Sequence, residues 1–382
     1  MTRRLLIAAA VFASVLSTPL ARAQVARPDA TDPGRAPGVS FEETARRATE
    51  AWAAGRSDEA LALVRAGVAL NPLWRDGWWL LGLIHTEADR FAEAREALLR
   101  LVELEPDAGP AWALLGLCEY RLQDHERALA HLWKGTSLGG FDDERLHRES
   151  QLHFALLLMR SGDFGAASKP LARVVSRSPT EPRLQMPCGL FALRTASLPE
   201  EVRPEDRELV ATAGRAGCAA LAQRTDEARA GFEDLIARYP KVRGVHFAYG
   251  FFLRREALPG ALAMLQEEAR LFPDHTEAQA EIAFEILERG TPAEALAPAR
   301  AVVRLSPDSG VGHLALGRAL AATGAIEQSL VELEKAARLS PESRGVYLAL
   351  AQVYASAGRT GDVERARAKL RELDAQRGAP PD

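Results

Sequence analysis

Prolines recur in this chain at a nearly constant interval. They stand at Pro72 and Pro106, and again at Pro240, Pro273, Pro307 and Pro341. The intervals are 34 residues in the first group and 33, 34 and 34 residues in the second. Each proline follows a stretch rich in good helix formers, and proline stops a helix from continuing. A period of this size predicts a stack of copies of one small helical unit.

Length and charge narrow the classes of function. At 382 residues the chain exceeds a usual single globular core, but a stack avoids that limit because each unit packs only on its neighbours. The formal net charge is -4 and the pI is near 6.1, so the overall field does not favour nucleic acid. No long alternation of Val, Ile, Thr and Tyr indicates strands. We therefore expect an all-α protein without a nucleic-acid partner.

The clearest copy of the unit begins at Trp78. Its first helix carries the pattern residues Trp78, Leu81, Gly82 and His85, which share one helical face. Its second helix carries Ala94, Leu98 and Leu101, followed by Pro106. This spacing resembles the tetratricopeptide repeat, whose pattern has Trp, Leu, Gly and Tyr on one helix and Ala, Phe, Ala and Pro on the next. His85 and Leu101 depart from the usual Tyr and Ala.

Further copies extend over most of residues 41–375. The resemblance implies a right-handed superhelical solenoid of helix-turn-helix tetratricopeptide repeats, four in 41–180 and five in 209–375. We expect the turns between paired helices to need a left-handed backbone, which glycine adopts readily. The turn glycines are Gly55, Gly162, Gly290, Gly324 and Gly358.

Three segments fall outside the repeat. Residues 181–208 interrupt the period and form a predicted irregular insert with a helix near Leu184–Ser197. We expect the insert to kink the superhelix or to form a second contact surface. Residues 24–40 are predicted to be a flexible linker, and residues 376–382 a disordered tail.

The first residues resemble an export signal. Arg3 and Arg4 precede an apolar run, Leu5–Leu16, that is too short to span a bilayer. Ala21-Arg22-Ala23 is a small-x-small cleavage site, which predicts a signal peptide over residues 1–23 and cleavage near Ala23-Gln24. The chain is therefore expected to be periplasmic or secreted, with no membrane span after cleavage. An uncleaved anchor is the alternative, and the choice between Sec and twin-arginine export stays open.

The three cysteines are an odd set for an exported protein. Free buried thiols are the preferred interpretation of Cys118, Cys188 and Cys218. A disulfide between Cys188 and Cys218 is the alternative, because both flank the irregular insert.

The resemblance also implies a binding groove lined by the first helix of each repeat. Carried onto this chain, the groove positions are Trp79, Leu83, Glu87, Leu117, Tyr120, Arg121, Leu156, Met159, Arg160, Phe247, Phe251, Arg254, Arg255, Phe284 and Arg318. An apolar trough with arginines at intervals suits an extended peptide or a partner helix. The alternative is that several of these residues are buried between neighbouring repeats.

The sequence offers no convincing catalytic constellation. A phosphate-binding Gly-Lys-Ser/Thr motif is absent. The pattern G-x-S-x-G occurs at Gly135-Thr136-Ser137-Leu138-Gly139, but no strand pattern precedes it, so it does not indicate a nucleophile elbow. We therefore expect a non-enzymatic scaffold for protein–protein interaction, without cofactor or metal. The alternative function is an accessory subunit of envelope assembly or polysaccharide export that contacts glycan, but the aromatic residues are few for that. An enzyme is a further alternative, for which the insert is too short to house a site.

Overall fold

The computed structural model describes the backbone of residues 40–378 and the side chains of residues 40–375. The predicted signal peptide, the linker before residue 40 and residues 379–382 lie outside this range. The described residues fall into two compact units, which divide between Leu158 and Met159. Within the described range every regular element is a helix, so the predicted all-α repeat architecture is confirmed.

The first unit is a series of helical hairpins. Its helices are α1 (Phe41–Ala53), α2 (Ser57–Leu70), α3 (Arg75–Glu87), α4 (Phe91–Leu104), α5 (Gly109–Arg121), α6 (His125–Ser137) and most of α7 (Glu144–Arg160). Helices α1 and α2, α3 and α4, and α5 and α6 pack in pairs, and each pair also packs on the next. One continuous apolar core runs from α1 to α5, because each of these helices buries one stripe of apolar side chains.

The second unit continues from the end of α7 with the same kind of hairpin. Its helices are α8 (Phe164–Arg177), α9 (Gln185–Ala192), α10 (Arg207–Leu221), α11 (Thr225–Arg238), α12 (Val245–Arg255), α13 (Ala261–Leu271), α14 (Thr276–Glu288), α15 (Pro292–Leu305), α16 (Gly310–Ala322), α17 (Ile326–Leu339), α18 (Arg344–Ser356) and α19 (Thr360–Gly378). From α10 onward consecutive helices pair as hairpins. Three short 3-10 turns, at Pro182–Leu184, Pro199–Glu201 and Pro204–Asp206, flank α9.

The final helix is longer than the sequence predicted. It runs to Gly378, so residues 376–378 are helical and the predicted tail is wrong for them. The physical reason is that these residues follow a run of good helix formers, and the first proline comes only at Pro380.

The left-handed turns expected after first helices are present. The predicted glycines all have positive φ, from 69° at Gly358 to 85° at Gly162 and Gly324. In other hairpins the same place is taken by non-glycine residues, namely Asp89, Gln123, Gln223 and Ala257, with φ between 52° and 62°. The turn geometry is therefore common to the hairpins, and glycine is only the least strained way to adopt it.

A second regularity connects four of the first helices to the proline that precedes each of them. The indole Nε1 of Trp78 donates a hydrogen bond to the Pro72 carbonyl at 2.8 Å, and that of Trp112 to the Pro106 carbonyl at 2.7 Å. His246 and His313 use Nε2 in the same way, to the Pro240 and Pro307 carbonyls at 2.9 and 2.8 Å. An imidazole can therefore replace the indole at this repeat position, because both rings supply an N–H donor.

The insert helix α9 packs closely on α10. A Cβ on Gly189 would stand 1.9 Å from the Val210 carbonyl oxygen, and one on Gly214 would stand 1.8 Å from that of Gln185. The two backbones approach this closely only because both positions are glycine. The helix ends earlier than predicted, at Ala192, because Arg194 adopts φ 53° and the Thr195 N–H turns back to the Leu190 carbonyl at 2.9 Å.

A disulfide fixes the same contact. Cys188 on α9 and Cys218 on α10 are joined, with their Cα atoms 5.4 Å apart. The preferred prediction of free thiols is therefore wrong for these two residues and right for Cys118, which is free and buried. The reason is that the glycine contacts bring the backbones of α9 and α10 within disulfide range.

Candidate functional site

In the first unit, the predicted groove residues divide into buried and accessible ones. Leu83, Tyr120 and Leu156 are buried in the core. Trp79 and Leu117 are half-buried, whereas Glu87 and Arg121 are exposed. The Tyr120 ring packs edge-on against His153, with 4.4 Å between centroids, so it supports the fold more than it offers a surface.

Trp79 lines a pocket of the first unit. The pocket has a volume of about 350 Å³, and its apolar lining includes Leu101, Leu138 and Phe141. Its charged lining is mostly acidic and consists of Asp76, Glu105, Asp107, Asp142, Asp143 and Arg75. Asp143 is already engaged, because its carboxylate accepts a hydrogen bond from the Leu146 N–H at 2.8 Å.

In the second unit, two of the predicted residues belong to the interior. Met159 is fully buried and Phe247 is 1% exposed. Arg160 forms an ion pair with Glu201 at 2.9 Å. The remaining predicted residues of this unit lie on the first helices α12, α14 and α16.

Arg254 on α12 forms ion pairs with the next first helix, α14. Its guanidinium contacts Glu281 at 2.8 Å, Glu285 at 3.6 Å and Glu288 at 2.7 Å, all on α14. Burial raises the pKa of Glu281, and the Arg254 charge opposes that rise. Arg254 therefore holds two neighbouring hairpins together, which leaves it little capacity to steer a ligand.

A buried carboxylate organises the start of α12. Glu268 on α13 is fully buried and accepts hydrogen bonds from the Gly244 N–H at 2.7 Å and the Phe247 N–H at 3.2 Å. Gly244 is the N-cap residue of α12 and has no side chain, so Glu268 supplies the missing acceptor. His275, the N-cap residue of α14, contacts the same carboxylate at 2.8 Å. One side chain thus links three helices.

The surroundings of the Glu268–His275 pair favour the charged form of each side chain in spite of its burial. Burial opposes ionisation of Glu268, but hydrogen bonds from His275, Gly244 and Phe247 hold its pKa below the ordinary value. Burial likewise disfavours charge on His275, but hydrogen bonds to Glu268 and Glu277 raise its pKa above the ordinary value.

Aromatic rings and arginines remain accessible on the same helices. Phe251 is half-buried and stacks on Phe247, with 5.8 Å between ring centroids. Phe284 on α14 is half-buried, and the exposed Arg318 of α16 lies over its ring at 5.5 Å. Arg255 is exposed at the end of α12. We call Phe251, Phe284, Arg255 and Arg318 the first-helix surface.

One residue of this region was absent from the sequence-based set. Arg194, just after α9, places its guanidinium 4.8 Å from the centroid of the Phe251 ring. It comes from the insert, outside the repeat period, so the pattern gave no signal for it. Two glutamates of α14 were also missed, although Glu281 and Glu285 lie roughly one repeat period after Arg254 and at helical spacing.

The described residues contain neither a candidate membrane-spanning helix nor a candidate metal site. Among the described residues, no helix is both long enough and apolar enough to cross a bilayer. Within the same part of the chain, no group of three or more His, Cys, Asp or Glu side chains is arranged to hold a metal ion.

Comparison with known families agrees with the hairpin pattern. A family model described as tetratricopeptide repeat matches residues 46–109 and 87–132, and a second one with that description matches residues 215–241. These segments fall on α1 to α6 and on α10 and α11. These segments of the chain are therefore tetratricopeptide repeats.

Individual relatives share only part of this architecture. The BBSome complex member BBS4 homolog of Drosophila melanogaster is 28% identical over 132 residues, which are 33% of this chain and 27% of that protein. The chain thus matches about a quarter of the length of this curated relative.

Solved structures give weak superpositions. MamA 41-end from Desulfovibrio magneticus RS-1 has a TM-score of 0.38 and 17% identity, covering 45% of this chain and 96% of its own. YrrB, described as a TPR protein with an unusual peptide-binding site, has a TM-score of 0.33 and 18% identity, covering 67% and 98%. Both TM-scores are low, so we draw no functional conclusion from them. The tetratricopeptide repeats by themselves support a scaffold for protein–protein interaction.

Proposed function

We propose that this chain is a non-enzymatic scaffold that binds an extended peptide or a partner helix on its first-helix surface. The observation that supports this most is the composition of that surface. Half-buried Phe251 and Phe284 lie on successive first helices, and exposed Arg255 and Arg318 flank them. Among the described residues, neither of these two arginines forms an ion pair with a carboxylate.

Such a surface has the properties of an interaction hot spot. Aromatic and arginine side chains dominate binding energy at protein interfaces because they bury a large area with little loss of conformational entropy. The rings here are already fixed by their neighbours, Phe251 by Phe247 and Phe284 by Arg318. A peptide would therefore meet a surface that is largely preorganised.

We further propose that the protein functions outside the cytoplasm. The Cys188–Cys218 disulfide supports this location, because disulfides persist mainly in oxidising compartments. The resemblance of the first residues to an export signal also supports this location. Fractionation of the cells that produce the chain checks the proposal, and recovery of the full-length chain in the cytosol with reduced thiols would refute it.

Peptide affinity tests the proposed surface. Peptides are selected from a displayed random library on the immobilised protein, and their affinities are measured for variants. Phe251→Ala with Phe284→Ala is expected to weaken binding by at least about 10-fold, since loss of a hot-spot side chain costs about 2 kcal/mol or more.

A matched pair of apolar truncations serves as the control. Leu305→Ala with Val331→Ala removes exposed side chains from the second helices α15 and α17, where Val331 is 65% exposed. We expect this variant to bind the selected peptides as the parent does. Equal affinity of both double variants, with helical content unchanged by circular dichroism, would place peptide binding elsewhere.

A further inference from the structure

Arg194 occupies an unusual environment for a charged side chain. Its guanidinium lies over the rings of Phe164, Phe191 and Phe251, at 5.1, 5.5 and 4.8 Å from their centroids. The rings come from α8, α9 and α12, so three helices converge on one cation. Rings on several sides hold the guanidinium in place through cation–π contacts.

This cation lacks a carboxylate partner in the part of the chain that the structure describes. Burial lowers the pKa of Arg194, and the more distant charges of Glu277 and Glu281 offset that effect only in part. Glu281 is itself committed to Arg254 at 2.8 Å. Arg194 is half-buried, and a guanidinium carries five N–H donors, so a partly desolvated one gains from a nearby acceptor.

A small pocket opens beside the guanidinium. It lies among the end of α9, α10 and α12, has a volume of about 40 Å³ and has a mostly apolar lining. Its charged lining residues are Arg194, Arg255 and Glu256, which is two guanidinium groups against one carboxylate. One water molecule needs roughly 10–15 Å³ of cavity volume, so the pocket has room for about three non-hydrogen atoms of that size. That is the size of a carboxylate group and too small for a ring.

We propose that this pocket binds a carboxylate of the peptide partner, with Arg194 as the main contact and Arg255 at the rim. The proposal rests on the function proposed above, because Phe251 belongs both to the pocket and to the first-helix surface. A peptide that packs on Phe251 can therefore place a neighbouring carboxylate in the pocket. The paired geometry of a guanidinium suits a planar carboxylate, which can accept two parallel hydrogen bonds.

Three peptide pools separate the sources of the carboxylate. Each pool contains dodecapeptides with randomised apolar flanks. The first has a central Glu and an amidated C-terminus, the second a central Gln and an amidated C-terminus, and the third a central Gln and a free C-terminus. By fluorescence anisotropy, the first or the third pool is expected to bind about 10- to 100-fold more tightly than the second, the range for a charged hydrogen bond.

Two variants assign that preference to Arg194. Arg194→Met keeps the length and the apolar contacts with the rings, so the fold should persist while the preference for a carboxylate disappears. Arg304→Met, on an exposed face of α15, should leave the preference unchanged. A merely structural Arg194 would instead lower the melting temperature in Arg194→Met without changing the preference. Equal binding of all three pools, or a preference that survives Arg194→Met, would overturn the proposal.

A second readout does not depend on the first-helix surface. The Nε–H resonance of Arg194, identified as the signal missing from Arg194→Met, is followed by NMR during addition of N-acetylglutamate amide or N-acetylglutamine amide. A shift caused only by the glutamate compound supports the pocket. If that shift occurs while no peptide pool binds, the proposed function fails and the pocket stands. If the resonance does not move with either compound, the pocket proposal is wrong.

Discussion

Replacing Glu268 with alanine is expected to lower the free energy of unfolding by about 3–5 kcal/mol, the usual cost of removing one partner of a buried ion pair. The large effect follows from the number of groups left without an acceptor. The Gly244 and Phe247 N–H groups would lose their hydrogen bonds at the start of α12, and His275 would remain buried without its carboxylate. Chemical denaturation followed by circular dichroism measures the change.

The neighbouring residue provides a matched control. Glu267 lies on the protein surface and pairs with Arg270 at 2.6 Å, so Glu267→Ala is expected to leave stability nearly unchanged. Similar unfolding curves for Glu268→Ala and Glu267→Ala would show that the buried carboxylate does not organise these helices.

The Glu268–His275 pair also predicts how the stability of the protein changes with pH. The pKa of Glu268 is lowered by folding. The stability that Glu268 contributes is therefore present above its unfolded pKa, about 4.3, and is lost as pH falls through its folded pKa. The pKa of His275 is raised by folding. The stability that His275 contributes is therefore present below its unfolded pKa, about 6.5, and is lost as pH rises through its folded pKa. The pair should therefore stabilise the parent most between these two ordinary values, and Glu268→Ala should flatten that maximum.

Removal of the disulfide is expected to have the second largest effect. Cys188 and Cys218 are 30 residues apart in sequence, and closing a loop of this size stabilises a protein by about 2–4 kcal/mol. Cys188→Ala with Cys218→Ala should lose that amount in chemical denaturation. The loss should be largest in α9, because this eight-residue helix is too short to persist without its contact with α10.

Two comparisons isolate the covalent bond from the lost side-chain volume. A reducing agent should destabilise the parent and leave the double alanine variant unchanged. Cys118→Ala also shortens a buried cysteine, but it breaks no disulfide, so it should cost less and should stay sensitive to reductant. A parent protein whose unfolding is indifferent to reductant would contradict the disulfide.

The repeat period made much of the fold predictable. Proline, glycine and small residues at fixed intervals located the hairpins, and the left-handed turns appeared at the predicted glycines. The repeat period could not show which of the predicted groove residues are accessible and which are buried. Leu83, Tyr120 and Phe247 were predicted to line a groove but are buried, because a first helix presents neighbouring positions both to the adjacent helices and to its free face.

The irregular insert limited prediction of the site. Arg194 places its guanidinium next to Phe251, but its position depends on how α9 packs on α10. That packing follows from Gly189 and Gly214, which are far apart in sequence and have no fixed spacing from the repeat. Contacts of this kind are set by tertiary structure, so a local pattern does not reveal them.

Site-specific photo-crosslinking in the cells that produce the protein tests the proposed interaction most directly. A photoreactive phenylalanine analogue is placed at Phe284 or Arg318 on the first-helix surface, and at Leu305 or Val331 on second helices as controls. We predict that the first two positions crosslink to the same segment of one partner protein, identified by mass spectrometry, and that the controls do not. Crosslinks confined to Leu305 and Val331, or none at Phe284 and Arg318, would contradict binding on the first helices.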